Sequence, residues 1–224
     1  MTIMRNAILS VAMILLSAPM SHGQDLSKYR NFSFGMSVGE LSKQIDLKPL
    51  QTKLIPKRPV IIQQFTWWPR ESSGSSLQAE WAWQVFFTFY NDELYRIVVT
   101  YNRDATDGLT AEDMVRAISA QYGAATRPDV QISFPTNELY RSTEKVIARW
   151  ENSQYSINLF RSTFLNSFGL VMFSKRLNGR ADAAIAESLK FEEQADLEKE
   201  IERQKKDAGN LEVVGQKNGK AFRP

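Results

Sequence analysis

The sequence opens a helix twice in the same words, and that repetition restricts the fold more than any other feature. Gly35-Met36-Ser37-Val38-Gly39-Glu40-Leu41-Ser42-Lys43-Gln44-Ile45 is matched by Gly108-Leu109-Thr110-Ala111-Glu112-Asp113-Met114-Val115-Arg116-Ala117-Ile118. Ser37 and Thr110 have the character of N-caps, and Glu40 and Asp113 stand three residues on, where a carboxylate can answer the cap and complement the positive helix end. Met36/Leu41 and Leu109/Met114 have the spacing of a hydrophobic staple. Each phrase precedes aromatic, alternating segments. The reading is therefore α+β: two tandem α-β-β-β repeats with antiparallel sheet, plus a C-terminal helix.

The strand pattern is clearest between the two phrases. Trp81, Trp83, Val85, Phe87 and Phe89 fall on one face of an alternating run, which we assign to the core, with Glu80, Ala82, Gln84, Phe86, Thr88 and Tyr90 on the other. Asn91-Asp92-Glu93 turns the chain, and Leu94 to Tyr101 returns as a hairpin. The second unit repeats the outline: Val146, Ala148 and Trp150 alternate out, and Tyr155, Ile157 and Leu159 alternate back. Phe168 to Phe173 is apolar on both faces, as befits a central strand. Asn102 to Gly108 lacks the Gly and the final Glu of a calcium loop and reads as a polar lead-in to the Thr110 cap.

The ends are different in kind. Arg5, the apolar run Ala7 to Ala18 and Ser21-His22-Gly23 have the form of a signal peptide, residues 1–23, too short for a comfortable transmembrane span. The expected order is then a first α/β repeat over 24–107, a second over 108–179, a charged helix over 180–207 and a disordered tail over 208–224. In the helix Ile185, Leu189, Leu197 and Ile201 share a face, while Asp196/Lys199, Glu200/Arg203 and Glu202/Lys206 pair at helical spacing. With no lipid-attachment Cys, the expected product is periplasmic or secreted, with no stable membrane insertion after signal cleavage.

Composition narrows the chemistry. The chain has no Cys and a single His, which lies in the signal segment. A Ser-His-Asp triad, a cysteine nucleophile and His/Cys zinc or copper sites are thereby excluded. There is no phosphate loop or dinucleotide fingerprint. The formal charge of +3 over 224 residues, without a basic motif, points away from nucleic acid. The basic connection Lys53 to Pro59 reads as a solvated loop. We assign no catalytic residue, cofactor or metal. Asp92/Glu93 and Glu138/Glu144 are the carboxylate pairs that a hydrolase reading would use.

Candidate contact residues for a protein partner come from the aromatics and the C-terminal helix. Adjacent Trp67 and Trp68 point to opposite faces of a strand, Phe86 and Tyr90 lie opposite the assigned core face, and Leu197 and Ile201 lie where apolar contacts thin out.

The Gly-Met-Ser-x-x-Glu-Leu helix opening, the Trp81-x-Trp83 strand and the hairpin Phe89-Tyr90-Asn91-Asp92-Glu93-Leu94 together resemble the exported helix-plus-antiparallel-sheet modules. That group includes β-lactamase-inhibitor-protein-like folds with two units in tandem and the small outer-membrane-assembly lipoproteins. The resemblance covers about residues 32–177. The chain carries neither the anchoring Cys of the lipoproteins nor the disulfide cysteines of the inhibitor. What the resemblance implies is a non-catalytic module that binds another envelope or extracellular protein. A carboxylate-based hydrolase, and a carrier of a small ligand in the cleft between the repeats, are the other two readings.

Overall fold

The computed structural model describes residues 25–45, 55–57, 60–69, 81–133, 143–163, 165–221 and 223. The expected signal segment, most of the basic connection, the loop after Pro69 and Glu138 lie outside these residues.

Both helix openings form as their chemistry dictates. Helix α1 (Val38–Gln44) starts from Ser37 at φ −81°, ψ 162°, and helix α2 (Ala111–Tyr122) from Thr110 at φ −83°, ψ 165°. Each cap has the full reciprocal box: the hydroxyl accepts from the N–H of Glu40 or Asp113, and that carboxylate accepts from the cap's own N–H. The glycine that heads each phrase is explained by its backbone. Gly35 and Gly108 sit at φ +88° and +76°, a left-handed turn that a side chain would strain.

The strands are β1 (Lys28–Tyr29), β2 (Phe32–Ser33), β3 (Ile55–Lys57), β4 (Val60–Trp67), β5 (Ala82–Tyr90) and β6 (Glu93–Tyr101). After α2 come β7 (Gln131–Ser133), β8 (Thr143–Glu151), β9 (Tyr155–Arg161) and β10 (Phe168–Ser174). The first two form a small hairpin. The rest make an eight-stranded antiparallel sheet in the order β3-β4-β5-β6-β10-β9-β8-β7. Four consecutive strands follow each capped helix, one more than the sequence pattern suggests, and the two sets meet where β6 pairs with β10. The fold is α+β, and β10 is central as its two apolar faces require.

Both capped helices and the β1–β2 hairpin contribute to one core. Leu41 of α1 and its C-cap Ile45, Met114, Ile118 and Tyr122 of α2, and Tyr29 and Phe32 of the hairpin pack with Val85, Phe87 and Phe89. The Asn91-Asp92 turn is left-handed at both residues (φ 48° and 67°), the geometry of a two-residue hairpin loop. It also anchors α1, because the Asp92 carboxylate accepts from the Val38 N–H at 2.9 Å.

The alternating run is interrupted at its start. Ala82 pairs with Tyr101 and Gln84 with Thr100, so Trp83 is the extra residue of a β-bulge. Ala82, Val85, Phe87 and Phe89 therefore face the core, and Trp83 turns outward at 41% exposure, with Trp81 at 50%. This corrects the core assignment of both tryptophans and the placement of Ala82 on the opposite face: period-two alternation holds only until a bulge resets its phase.

The reverse face of the sheet is also covered. Phe86, Val98, Phe160 and Val171 form a second buried cluster there. Helix α3 (Lys175–Ala221) starts directly from β10 and packs Leu177 and Ala181 against Ile62 and Tyr95. Arg96 secures it, donating from Nε and Nη2 to Asn178 Oδ1 at 3.1 and 2.6 Å and lying 3.8 Å from Asp182. The helix begins before residue 180 and continues through 208–221, the stretch expected to be a disordered tail. Leu211, Val213 and Val214 there are exposed, so no tertiary packing by these side chains accounts for the continuation. No helix among the described residues is long and apolar enough to cross a membrane.

Candidate functional site

The structure separates the six contact residues chosen from sequence. Trp67 lies half-buried against the main core, its ring edge-on to Phe32 at 5.5 Å, and Trp68 is half-buried just beyond β4. Phe86 is buried on the reverse face, and Tyr90 is half-buried under α3 with the Arg180 guanidinium 5.7 Å from its ring. The rings of Trp67, Phe86 and Tyr90 pack within the fold. Leu197 and Ile201 stand in the open on α3, 58% and 50% exposed. The six are not brought together.

The carboxylates named for a hydrolase are engaged elsewhere. Asp92 ties the hairpin to α1, and Glu93 lies 4.0 Å from Arg176. Glu144 is buried, and its carboxylate accepts from the Thr163 N–H at 3.2 and 3.3 Å. Among the described residues no group of three or more His, Cys, Asp or Glu side chains could hold a metal ion.

What converges instead is an aromatic cleft at one end of the sheet. It is lined by Trp83, Tyr101, Asn102, Arg103, Leu165 and Ser167, with Asp104 at its edge, and has a volume of about 240 Å³. Each element places its residue for a local reason. The β5 bulge turns Trp83 outward. The Asn102 side chain accepts from the Asp104 N–H at 2.8 Å and shapes the 3₁₀ turn Asp104–Thr106, while the Asn102 backbone N–H donates to the Trp81 carbonyl at 2.8 Å. Leu165 and Ser167 come from the turn between β9 and β10, which is closed by the Ser162 N–H on the Ser167 carbonyl at 2.9 Å. The buried Ser167 hydroxyl has no hydrogen-bond partner among the described residues, an unusual state for a buried polar group. Tyr101 forms the inner wall, and burial pushes its phenol well above the ordinary value, so it stays neutral.

The cleft lies at the seam between the two four-strand sets, since Tyr101 ends β6 and Phe168 begins β10. Sequence reasoning missed it because the Trp-x-Trp spacing fits an uninterrupted strand. The bulge changes the phase only upstream of Gln84, at Trp81, Ala82 and Trp83, and nothing in the spacing of those residues signals it. No family model, curated protein or solved structure matches the chain.

Proposed function

We propose that the chain is an exported, non-catalytic protein-binding module of two α/β units, and that its partner docks on the rim bearing Trp81 and Trp83. The observation that carries this reading is the outward presentation of two large indoles at a single strand end, beside a cleft whose Ser167 hydroxyl has no hydrogen-bond partner among the described residues. Tryptophan and arginine are the side chains most enriched at energetic centres of protein interfaces. The hydrolase reading has less support, because Asp92 and Glu144 each serve a structural hydrogen bond.

The small-ligand reading retains one favourable observation, the position of the cleft at the seam. Its volume of about 240 Å³ falls below the usual range of about 300–1,000 Å³ for small-molecule sites. It suits one inserted side chain better than a whole ligand. The test is capture of a partner from periplasmic or secreted extract by the immobilised protein. Retention of the same protein by the parent, and its loss with Trp81→Ala and Trp83→Ala, is expected. Equal retention by both variants would remove the rim from the interface.

A further inference from the structure

Helix α3 leaves the sheet early and continues far beyond it. Among the described residues, Ala184 and Ile185 are its last side chains packed against the Ile62 and Tyr95 cluster, and Ser188 is its last buried one. From Lys190 to Ala221 the helix runs on for about 48 Å, at about 1.5 Å per residue. Every described side chain from Lys190 to Lys220 is exposed except Glu200, which is half-exposed. Gly209, Gly215 and Gly219 weaken the intrinsic helicity of the last turns, and a helix without tertiary packing is only marginally stable in water. A partner laid along it supplies what propensity does not.

The residues of this stretch are sorted by face. Steps of four and three from Leu197 reach Ile201, Gln204, Ala208 and Leu211, a seven-residue spacing that keeps them on one stripe. Leu197, Ile201 and Leu211 are 58%, 50% and 73% exposed. Of the large apolar side chains past residue 207, Leu211 alone joins the stripe; Val213 falls on the back and Val214 on a flank. The positions directly beside the stripe hold Glu193, Glu200 and Asp207 on one side and Glu198, Lys205 and Glu212 on the other, five acids and one base. The remaining bases between residues 193 and 217 lie behind: Lys199 and Lys206 opposite the stripe, with Arg203 and Lys217 next to them. Asp196 meets Lys199 at 3.7 Å and Glu200 meets Arg203 at 2.8 Å. Glu193, Glu198, Asp207 and Glu212 have no ion pair among the described residues.

We propose that this stripe receives a helix of another protein whose own apolar stripe is flanked by lysine or arginine. Charges at the flanking positions set partner choice when two helices pack side by side, and acids on this helix select bases on the other. The same charges disfavour a second copy of this chain. In a parallel pair, Glu193 faces the copy's Glu198 and Asp207 faces its Glu212, while Glu200 facing Lys205 is the one favourable contact. In an antiparallel pair, the side bearing Glu193, Glu200 and Asp207 faces itself. Like charges set opposite one another cost affinity and suppress wrong partners. The acids equally disfavour an anionic membrane surface or nucleic acid. This interface is separate from the rim of Trp81 and Trp83 and does not depend on it.

The test uses the full protein and labelled four-heptad helical peptides with Ile and Leu on the stripe: one with Lys at every flanking position, one with Gln and one with Glu. The Lys peptide is expected to bind about tenfold more tightly than the Gln peptide, with the advantage shrinking as salt rises, and the Glu peptide is expected not to bind. Ile201→Asn is expected to abolish binding of the Lys peptide without moving the melting midpoint, because the side chain is exposed. Reversing four flanking charges together, Glu193→Lys, Glu198→Lys, Asp207→Lys and Glu212→Lys, is expected to transfer the preference to the Glu peptide. Equal binding of the three peptides, binding of none, or full binding by Ile201→Asn overturns the proposal. So does self-association of the full protein that disappears in Ile201→Asn, which makes a second copy the occupant. Trp83→Ala is expected to bind the Lys peptide as the parent does; loss of binding there would place the peptide at the rim and remove it from α3.

Discussion

Trp150 and Trp83 occupy strands of one sheet, and both belong to runs that alternate apolar residues. Trp150 is 1% exposed, and its indole N–H donates to the Gly123 carbonyl at 2.8 Å and to Ser119 Oγ at 3.2 Å, joining β8 to the end of α2. Trp83 has no such bond among the described residues and stands at the rim. Both strands contain a bulge. In β8 it lies between Val146 and Ala148, upstream of the tryptophan, whereas in β5 the tryptophan is itself the inserted residue. A side chain's fate is thus decided by its position relative to a register shift, and large apolar character alone does not settle it.

Trp150→Ala is expected to give the largest loss, about 3–5 kcal/mol, the usual range for emptying a buried aromatic site. Chemical denaturation measures it. Trp150→Phe should recover part of that loss while leaving the Gly123 carbonyl without its indole donor. A substitution at Trp150 as mild as one on the surface would erase the contrast with Trp83.

Gly169→Ala comes next, at about 1–3 kcal/mol, a typical overpacking cost. A Cβ there would stand 2.5 Å from Phe160 Cζ and 3.0 Å from the Val99 carbonyl oxygen. The ring can move but the neighbouring strand's backbone cannot, so β10 would be forced away from β6 at the seam. Melting of the variant checks this; an unchanged midpoint would mean that the Phe160 ring swings clear without cost.

The helix openings were legible because their chemistry is local: cap, answering acid, staple and left-handed glycine all lie within a few residues. The α+β class and the buried hairpin followed from periodicity for the same reason. The bulge was not legible, since it depends on how β5 registers against β6, and that pairing is a long-range property. Phe86 and Tyr90 were placed correctly opposite the main core. Their burial depends on a second packed face, to which α3 contributes over Tyr90, and no pattern within β5 reports it. The helical continuation past residue 207 was missed because the exposed Leu211, Val213 and Val214 give no amphipathic stripe to read.

Thr110→Ala should cost about 1 kcal/mol, the usual loss of an N-cap. It also changes the acid response. Hydrogen bonds from the Thr110 hydroxyl, then from its N–H, hold the Asp113 carboxyl below the ordinary value. A lowered folded-state pKa contributes stability above the unfolded-state pKa, and that contribution disappears as pH falls through the folded-state value. The variant should therefore show a shallower loss of stability below pH 4 than the parent. Parallel acid dependence in the two proteins would mean that the box is not the group being titrated.

The smallest stability effect is expected at Trp83 itself, and it completes the comparison. Trp83→Ala removes an indole that is 41% exposed and makes no ring stack or hydrogen bond among the described residues, from a bulge whose backbone pairing does not need the side chain. Substitutions away from buried or hydrogen-bonded features usually stay within about 0.5 kcal/mol. The cleft wall beside Tyr101 and Leu165 is lost, so the upper side of that range, about 0.5 kcal/mol, is expected. Binding should respond in the opposite order: Trp83→Ala abolishes partner capture while the fold melts almost as the parent does. Measuring midpoint and capture on the same preparation decides the matter. A fall in stability approaching that of Trp150→Ala would show that the outward indole is part of the core after all, and the rim would lose its anchor.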